Sequence, residues 1–321
     1  MLTVELVATG CEPAQALRLN QCLMPEPGHS EVRVKVLARP INPADLLLIE
    51  GRHVYSPDLP SPIGIEGAGF IDAVGPGTTL KPGTLVAIPA GGTWRDYLIA
   101  TEDLLIPLAA DFGVEQAATL SVNPFTAAGL LRGLQSGDSV VINAANSSIA
   151  RMILALGRQR GLHLIALVRS LDHRQAILDL GADAVLLDGP DLNKDWAMSK
   201  LPPVRRALDA VAGEASARLF DLVAEGGELV VYGLLSSDLV QLPAAQLVFR
   251  DVLVKGFSRL RSLKALTMQE RTAMAEELTA LVQKGVLASN IEARYPLSDV
   301  VAALEHQSRP ERRGKILLIS D

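Results

Sequence analysis

Cysteine is almost missing from this chain: Cys11 and Cys22 are the only two in 321 residues. With no further pair and no Cys-x-x-Cys spacing, a disulfide framework and a cysteine metal knuckle are both excluded. Basic clusters are lacking as well, and the formal charge is −6 at pH 7, so neither a nucleic acid nor an anionic membrane is the expected partner. No apolar run reaches transmembrane length, and Met1-Leu2-Thr3-Val4-Glu5 has neither the basic nor the apolar region of a signal peptide. The expectation is a soluble, cytoplasmic protein, long enough for two domains.

A glycine fingerprint is missing where it is most expected. Residues 139–143, Ser-Val-Val-Ile-Asn, are a β-branched run suited to a strand buried on both faces. Ala144-Ala145-Asn146-Ser147-Ser148 is small, polar turn material, and Ile149, Met152, Ile153 and Leu156 then recur at helical spacing. Gly161 stops the helix ahead of a second apolar run, 164–168. This is a βαβ unit, whose helix N-terminus carries unpaired N–H groups and the positive end of its dipole. An anion belongs there. Yet Ser148 and Ala150 stand where two glycines of a dinucleotide site are expected, and their Cβ atoms restrict φ and crowd a pyrophosphate. At the end of the second strand, where an acid would pair with a ribose 2′-hydroxyl, the chain has Arg169, with Arg174 a turn further on. Guanidinium groups suit a 2′-phosphate, so the expected cofactor is NADPH rather than NADH. The alternative is a plain α/β domain with a solvated arginine.

Ahead of this unit, residues 1–38 alternate like antiparallel strands, with Pro25, Pro27 and Gly28 marking a turn. The polar segment Ile41-Asn42-Pro43-Ala44-Asp45 leads into a short helix over 46–51, and Arg52-His53-Val54-Tyr55-Ser56-Pro57 follows as a loop with titratable and phenolic groups. Gly64-Ile65-Glu66-Gly67-Ala68-Gly69 resembles a phosphate loop, but a strand follows where a dinucleotide loop must open a helix. Those glycines are expected to bend a barrel strand. Residues 1–121 are therefore expected to form a mostly β domain. Strands at 139–143, 164–168, 184–187, 206–211, 228–233 and 252–257, alternating with helices, give the count for a doubly wound parallel sheet over 122–258. Residues 259–321, with a long helix over 267–284 and a last strand at 315–319, are expected to return to the first domain. The apolar run 252–257 would leave an open sheet edge, which predicts a homodimer.

Several short segments carry a family likeness: Ile41-Asn42-Pro43-Ala44-Asp45, Gly92-Thr93-Trp94-Arg95, Ser121-Val122-Asn123-Pro124-Phe125-Thr126-Ala127, Asn143-Ala144-Ala145-Asn146-Ser147, Val168-Arg169, Tyr232-Gly233, Gly256-Phe257 and Gly314-Lys315. They resemble the zinc-independent branch of the medium-chain dehydrogenase/reductase superfamily, most of all trans-2-enoyl thioester reductases, with a further similarity to quinone oxidoreductases. The resemblance implies an α/β fold in which a Rossmann-like doubly wound sheet is inserted into a mostly β, GroES-like catalytic domain. In zinc-dependent relatives a Cys and a His-Glu pair precede the barrel bend; Asn42 occupies the Cys position here and Ile65 the His position. A tetrahedral N/S site cannot be assembled from these residues.

The resemblance also implies site residues. Asn42 and Trp94 belong to the catalytic set, with Asn123 and Thr126 near the nicotinamide, and Asn146, Ser147 and Ser148 at the pyrophosphate. Arg169 and Arg174 take the 2′-phosphate, Tyr232 and Gly233 approach from the fifth strand, Phe257 flanks the nicotinamide, and Lys315 reaches in from the last strand. Enoyl reductases place a donor tyrosine two residues after the glycine that closes the short helix. Here His53 holds that position after Gly51, and Tyr55 lies two further on. An imidazole or a re-threaded phenol could each serve. The implied reaction is metal-free, NADPH-dependent reduction of an activated C=C bond in an enoyl thioester. The alternatives are reduction of a quinone, which needs no dedicated acid, and NADPH binding without catalysis.

Overall fold

The computed structural model describes residues 1–309 and 311–320; Pro310 and Asp321, the last residue of the expected 259–321 segment, lie outside the described residues. The chain divides into two compact units, Met1–Val122 with Thr279–Asp321, and Asn123–Leu278.

In the second unit the apolar runs pair in parallel as a six-stranded sheet, in the order Ala184–Leu187, His163–Val168, Ser139–Ile142, Val204–Asp209, Val223–Val231, Leu253–Gly256. The order reverses beside Ser139–Ile142, the topological switch point at which such sheets bind ligands, outside the carboxyl ends of their strands. Ser139–Ile142 is buried throughout because helices cover both faces of a parallel sheet. Helix Ser148–Gln159 buries Ala150, Met152, Ile153, Leu154, Leu156 and Gly157. A Cβ on Gly157 would stand 2.8 Å from Leu164 Cδ2, so this glycine sets the close packing of helix on strand. Strand Leu253–Gly256 is an edge of the sheet.

The first unit is mostly β. Glu31–Pro40 is its central strand, pairing with Gly67–Val74, Tyr97–Thr101 and Lys315–Ile319. Its alternation places Val32, Val34 and Val36 inward, fully buried. The bend expected around Gly64–Gly69 is present: the pairing register shifts between Val36 and Ala38, and a Cβ on Gly69 would lie 1.9 Å from the Lys35 carbonyl oxygen. Arg39 is fully buried, donating to the Thr93, Leu318, Val36 and Arg95 carbonyls and to Ser320 Oγ. Burial pushes its guanidinium down to about 10.

Several segments differ from the sequence expectation: the strands expected at 206–211 and 228–233 run over Val204–Asp209 and Val223–Val231. The helix expected over 46–51 begins three residues earlier, at Pro43, and spans Pro43–Ile49. Proline fits the first helical position, and Asp45 closes the turn by accepting from Asn42 N at 2.8 Å. Residues 259–278, expected to return to the barrel, group with the second unit. Ion pairs Arg132–Glu270 and Arg160–Glu277, both 3.3 Å, tie helix Met268–Gln283 to helix Asn123–Leu130 and to the end of the following helix.

Candidate active site

In the second unit Asn146, Ser147, Ser148, Arg169, Tyr232, Gly233 and Phe257 lie just past the carboxyl ends of strands, and Asn123 and Thr126 on the helix that precedes the first of them. Ser147 is the N-cap of helix Ser148–Gln159, and its Oγ accepts from Ala150 N at 3.3 Å. The left-handed residue of the turn is Ala144, at φ 46°. Ser148 and Ala150 are helical, so the φ restriction expected of their Cβ atoms does not arise. Asn146 is exposed, while Ser147 and Ser148 are half-buried. Arg169 and Arg174 are exposed, and their side chains make no ion pair among the described residues. Asn123 and Thr126 are buried on helix Asn123–Leu130. Phe257 is half-buried, stacked so tightly on that helix that a Cβ on Gly129 would stand 2.7 Å from its ring.

Gly233 lies where strands Val204–Asp209 and Val223–Val231 end, and a Cβ there would meet the Ala210 carbonyl oxygen at 2.7 Å. Beside it, the Tyr232 hydroxyl oxygen is buried with no hydrogen-bond partner among the described residues, and burial raises its ionisation well above the usual phenol range. Sequence reasoning missed the support under this face. Asp209 Oδ1 accepts from Asn143 Nδ2 at 2.7 Å, Val211 N at 2.9 Å and Ala212 N at 3.0 Å, while Ser216 Oγ donates to its Oδ2 at 2.5 Å. Asn143 Oδ1 takes Ala210 N at 2.8 Å. The available signal was a lone acid closing an apolar strand.

The first unit contains a second buried network. Asn42 Nδ2 donates to Glu66 Oε1 at 3.0 Å, and Lys315 Nζ donates to Asn42 Oδ1 at 2.5 Å. Ser121 Oγ and Val122 N donate to Glu66 Oε2 at 3.1 and 3.0 Å. Asn42, Asp45 and Glu66 are at most 1% exposed and Lys315 4%. The structure thus brings Asn42 and Lys315 together, and adds Asp45, Glu66 and Ser121, which sequence reasoning left without a site role. Burial pushes the Asp45 carboxyl up to about 7, with Glu66 adding to the rise and the Asn42 N–H and Lys315 opposing it. One of its oxygens, Oδ1, is buried without a partner among the described residues. Burial also lowers the Lys315 ammonium.

His53 and Tyr55 follow on an exposed turn closed by Gly51 at φ 69°. The Tyr55 N–H donates to His53 Nδ1 at 3.0 Å, and the rings stand edge to face, 6.5 Å apart. His53 is half-buried, whereas Tyr55 is 63% exposed. Trp94 lies elsewhere. Its indole is fully buried in a core with Val4, Leu6, Ile41 and Ile63, and a Cβ on Gly64 would come within 2.3 Å of it. The Trp94 position is one of packing.

A model described as an alcohol dehydrogenase GroES-like domain matches residues 28–110, and one described as a zinc-binding dehydrogenase matches residues 180–318. Over 322 residues the chain is 34% identical to the mitochondrial enoyl-[acyl-carrier-protein] reductase of Homo sapiens, covering 96% of this chain and 86% of the relative. The chain belongs to the medium-chain dehydrogenase/reductase superfamily. It is an oxidoreductase of that superfamily and a homologue of its mitochondrial enoyl reductases. A solved putative NADPH:quinone reductase from Bacillus thuringiensis superposes with a TM-score of 0.92 at 26% identity, covering 100% of this chain and 99% of the other. The Escherichia coli quinone oxidoreductase, solved with NADPH, shares the fold at a TM-score of 0.89 and 24% identity, covering 99% and 100%. The zinc named in one family description does not suit the donors of this chain. Asn42 offers an amide where a thiolate would be needed, Ile65 offers no donor, and no group of three His, Cys, Asp or Glu among the described residues is placed to hold a metal.

Proposed function

We propose that this protein is an NADPH-dependent reductase of an activated C=C bond in a 2-enoyl thioester. The observation that supports this reading best is its likeness, across nearly its whole length, to proteins named enoyl reductases. When bound, NADPH supplies a hydride to the alkene. The residues suit its parts: the capped N-terminus of helix Ser148–Gln159 and the tight Gly233 approach for the pyrophosphate, and exposed Arg169 and Arg174 for the 2′-phosphate. The orphaned Tyr232 hydroxyl offers a donor toward the same ligand. As hydride reaches the β-carbon, negative charge develops on the thioester oxygen, and the α-carbon must take a proton. His53 or Tyr55 would donate, with Asn42 and Lys315 orienting polar groups of the reactants. Phe257, Asn123 and Thr126 would border the nicotinamide, and Trp94 would hold the barrel bend from beneath.

The test is turnover of crotonyl thioester with NADPH, with NADH as the control, in wild type, His53→Ala and Tyr55→Phe. Loss of rate in one variant names the donor. No NADPH-dependent turnover of any enoyl thioester would remove the proposal. The likeness to a putative NADPH:quinone reductase favours a second reading, quinone reduction, which activity surviving replacement of both His53 and Tyr55 would select. NADPH binding without turnover of alkenes or quinones would leave a nucleotide-binding protein. A homodimer formed through edge strand Leu253–Gly256, where Leu253 is 57% exposed, belongs to the same proposal. A monomer in sedimentation at micromolar concentration would contradict it. No helix among the described residues is long and apolar enough to cross a membrane; a cytoplasmic location, proposed here against mitochondrial relatives, is checked by cell fractionation.

A further inference from the structure

Glu66 directly follows Ile65, in the place of the Glu of the His-Glu pair, and the buried polar groups of the first unit converge on it. Its Oε1 accepts from Asn42 Nδ2 at 3.0 Å, and its Oε2 accepts from Ser121 Oγ at 3.1 Å and Val122 N at 3.0 Å. On the far side of the same amide, Asn42 Oδ1 accepts from Lys315 Nζ at 2.5 Å. Rotating that amide by half a turn would face its NH2 with the ammonium and its oxygen with the carboxylate, replacing two attractions by two repulsions. The amide orientation is therefore imposed from both ends by opposite charges. All three side chains are buried, so each charge compensates the other across the amide, and removing one leaves the other uncompensated in a poorly solvated interior.

We propose that Glu66 is a positioning residue: by holding the Asn42 amide it presents Oδ1 to Lys315 and keeps the ammonium charged at one fixed point. What that ammonium acts on rests on the reductase reading, whereas the coupling of the three residues does not. The other charged groups that bear on Lys315 are Asp45, which favours the ammonium as Glu66 does, and Arg312, which opposes it together with burial. Asn42 also holds the helix start through its N–H to Asp45 Oδ2 at 2.8 Å, so the segment that precedes the His53 turn is anchored by the same unit.

The experiment follows the Lys315 side chain by NMR in protein labelled at lysine Cε, with Lys315→Met assigning the signal. Wild type, Glu66→Gln and Asn42→Ala are titrated, and turnover of crotonyl thioester is measured in each. In both variants Lys315 should lose its proton at least about one pH unit lower than in wild type. The rate constant kcat should fall about tenfold or more while KM changes by less than about threefold. The double variant Glu66→Gln/Lys315→Met should be no slower than Lys315→Met alone, because the first residue acts through the second. An unmoved Lys315 midpoint in both variants, or losses of rate that multiply in the double variant, would overturn the proposal. Should Glu66→Gln fail to fold, Asn42→Ala cuts the same bridge from the other end and leaves the Ser121 and Val122 bonds to Glu66 in place. Absence of enoyl thioester turnover in wild type, with the Lys315 midpoint still displaced by either variant, would remove the reductase reading and support the coupling.

Discussion

Each unit buries an asparagine beside a carboxylate, and the two arrangements are opposite in kind. In the second unit, Asp209 is surrounded by neutral donors: an amide, two backbone N–H groups and a hydroxyl. Both carboxylate oxygens have partners, and the result is a rigid corner between strand end and helix. In the barrel unit, Asn42 bridges a carboxylate and an ammonium, while neighbouring Asp45 keeps one buried oxygen unpartnered. That second network is not closed. A closed polar network specifies a fold, whereas the open one contains the displaced ionisations of Asp45 and Lys315.

The sharpest way to break the comparison is Asp209→Ala. Four donors lose their acceptor at once in a fully buried place. A loss of about 3–5 kcal/mol in urea unfolding is expected, since each stranded donor costs about 1–3 kcal/mol before relaxation. A loss under about 1 kcal/mol would mean that the corner is not a structural keystone.

Asp45→Asn should act in the opposite direction. Its carboxyl is raised from 3.8 to about 7 by burial, so in the folded state it keeps a proton that the unfolded chain releases. That contribution is fully present below pH 4, declines as pH rises toward 7 and is absent above it. The amide variant removes this slope. It should match wild type at pH 4 and exceed it by about 4 kcal/mol at pH 8, read as Tm across that range. A difference independent of pH would show that Asp45 does not titrate in this window.

A smaller effect is expected at the surface of the second unit. Arg169→Ala/Arg174→Ala should weaken NADPH binding about tenfold or more, toward the NADH level, and leave NADH binding unchanged. Equal loss for both nucleotides in a fluorescence titration would assign the arginines to something other than a 2′-phosphate. The smallest change is Ser147→Ala, which removes the cap of helix Ser148–Gln159 at a cost of about 1 kcal/mol. Thermal unfolding reads it directly, and a neutral result would show that the turn is held by its backbone bonds alone.

Much of this was legible beforehand. Strand Ala184–Leu187 and last strand Lys315–Ile319 have the boundaries expected from the sequence, because uninterrupted apolar runs between glycines and polar turns admit few other conformations. The glycines at 64–69 were readable as a bend, since what followed them alternated like a strand. Helix Leu192–Ser199 was missed: the polar run Asn193-Lys194-Asp195 masks an apolar face of only two residues, Leu192 and Trp196, that packs on the core. Helix Pro43–Ile49 starts three residues ahead of the expected 46–51 and ends two residues earlier, because Asn42-Pro43 resembles a loop until Asp45 is seen closing its first turn.

The sequence by itself determined the alternation of elements, the parallel sheet and the presence of an arginine, with no acid, at the end of its second strand. Each of these depends on neighbours a few residues apart, or on the chemistry of a single side chain. The tertiary structure alone decided that Asn42, Glu66 and Lys315 meet. These residues come from the start of a helix, the approach to a bent strand and the last strand of the sheet, and no local pattern links them. It also decided that Trp94 lies in the core and that Asp45 is buried with an unpartnered oxygen. Burial and charge coupling depend on which distant segments pack together, and desolvation, the force behind the shifted ionisation of Asp45 and Lys315, exists only once they have.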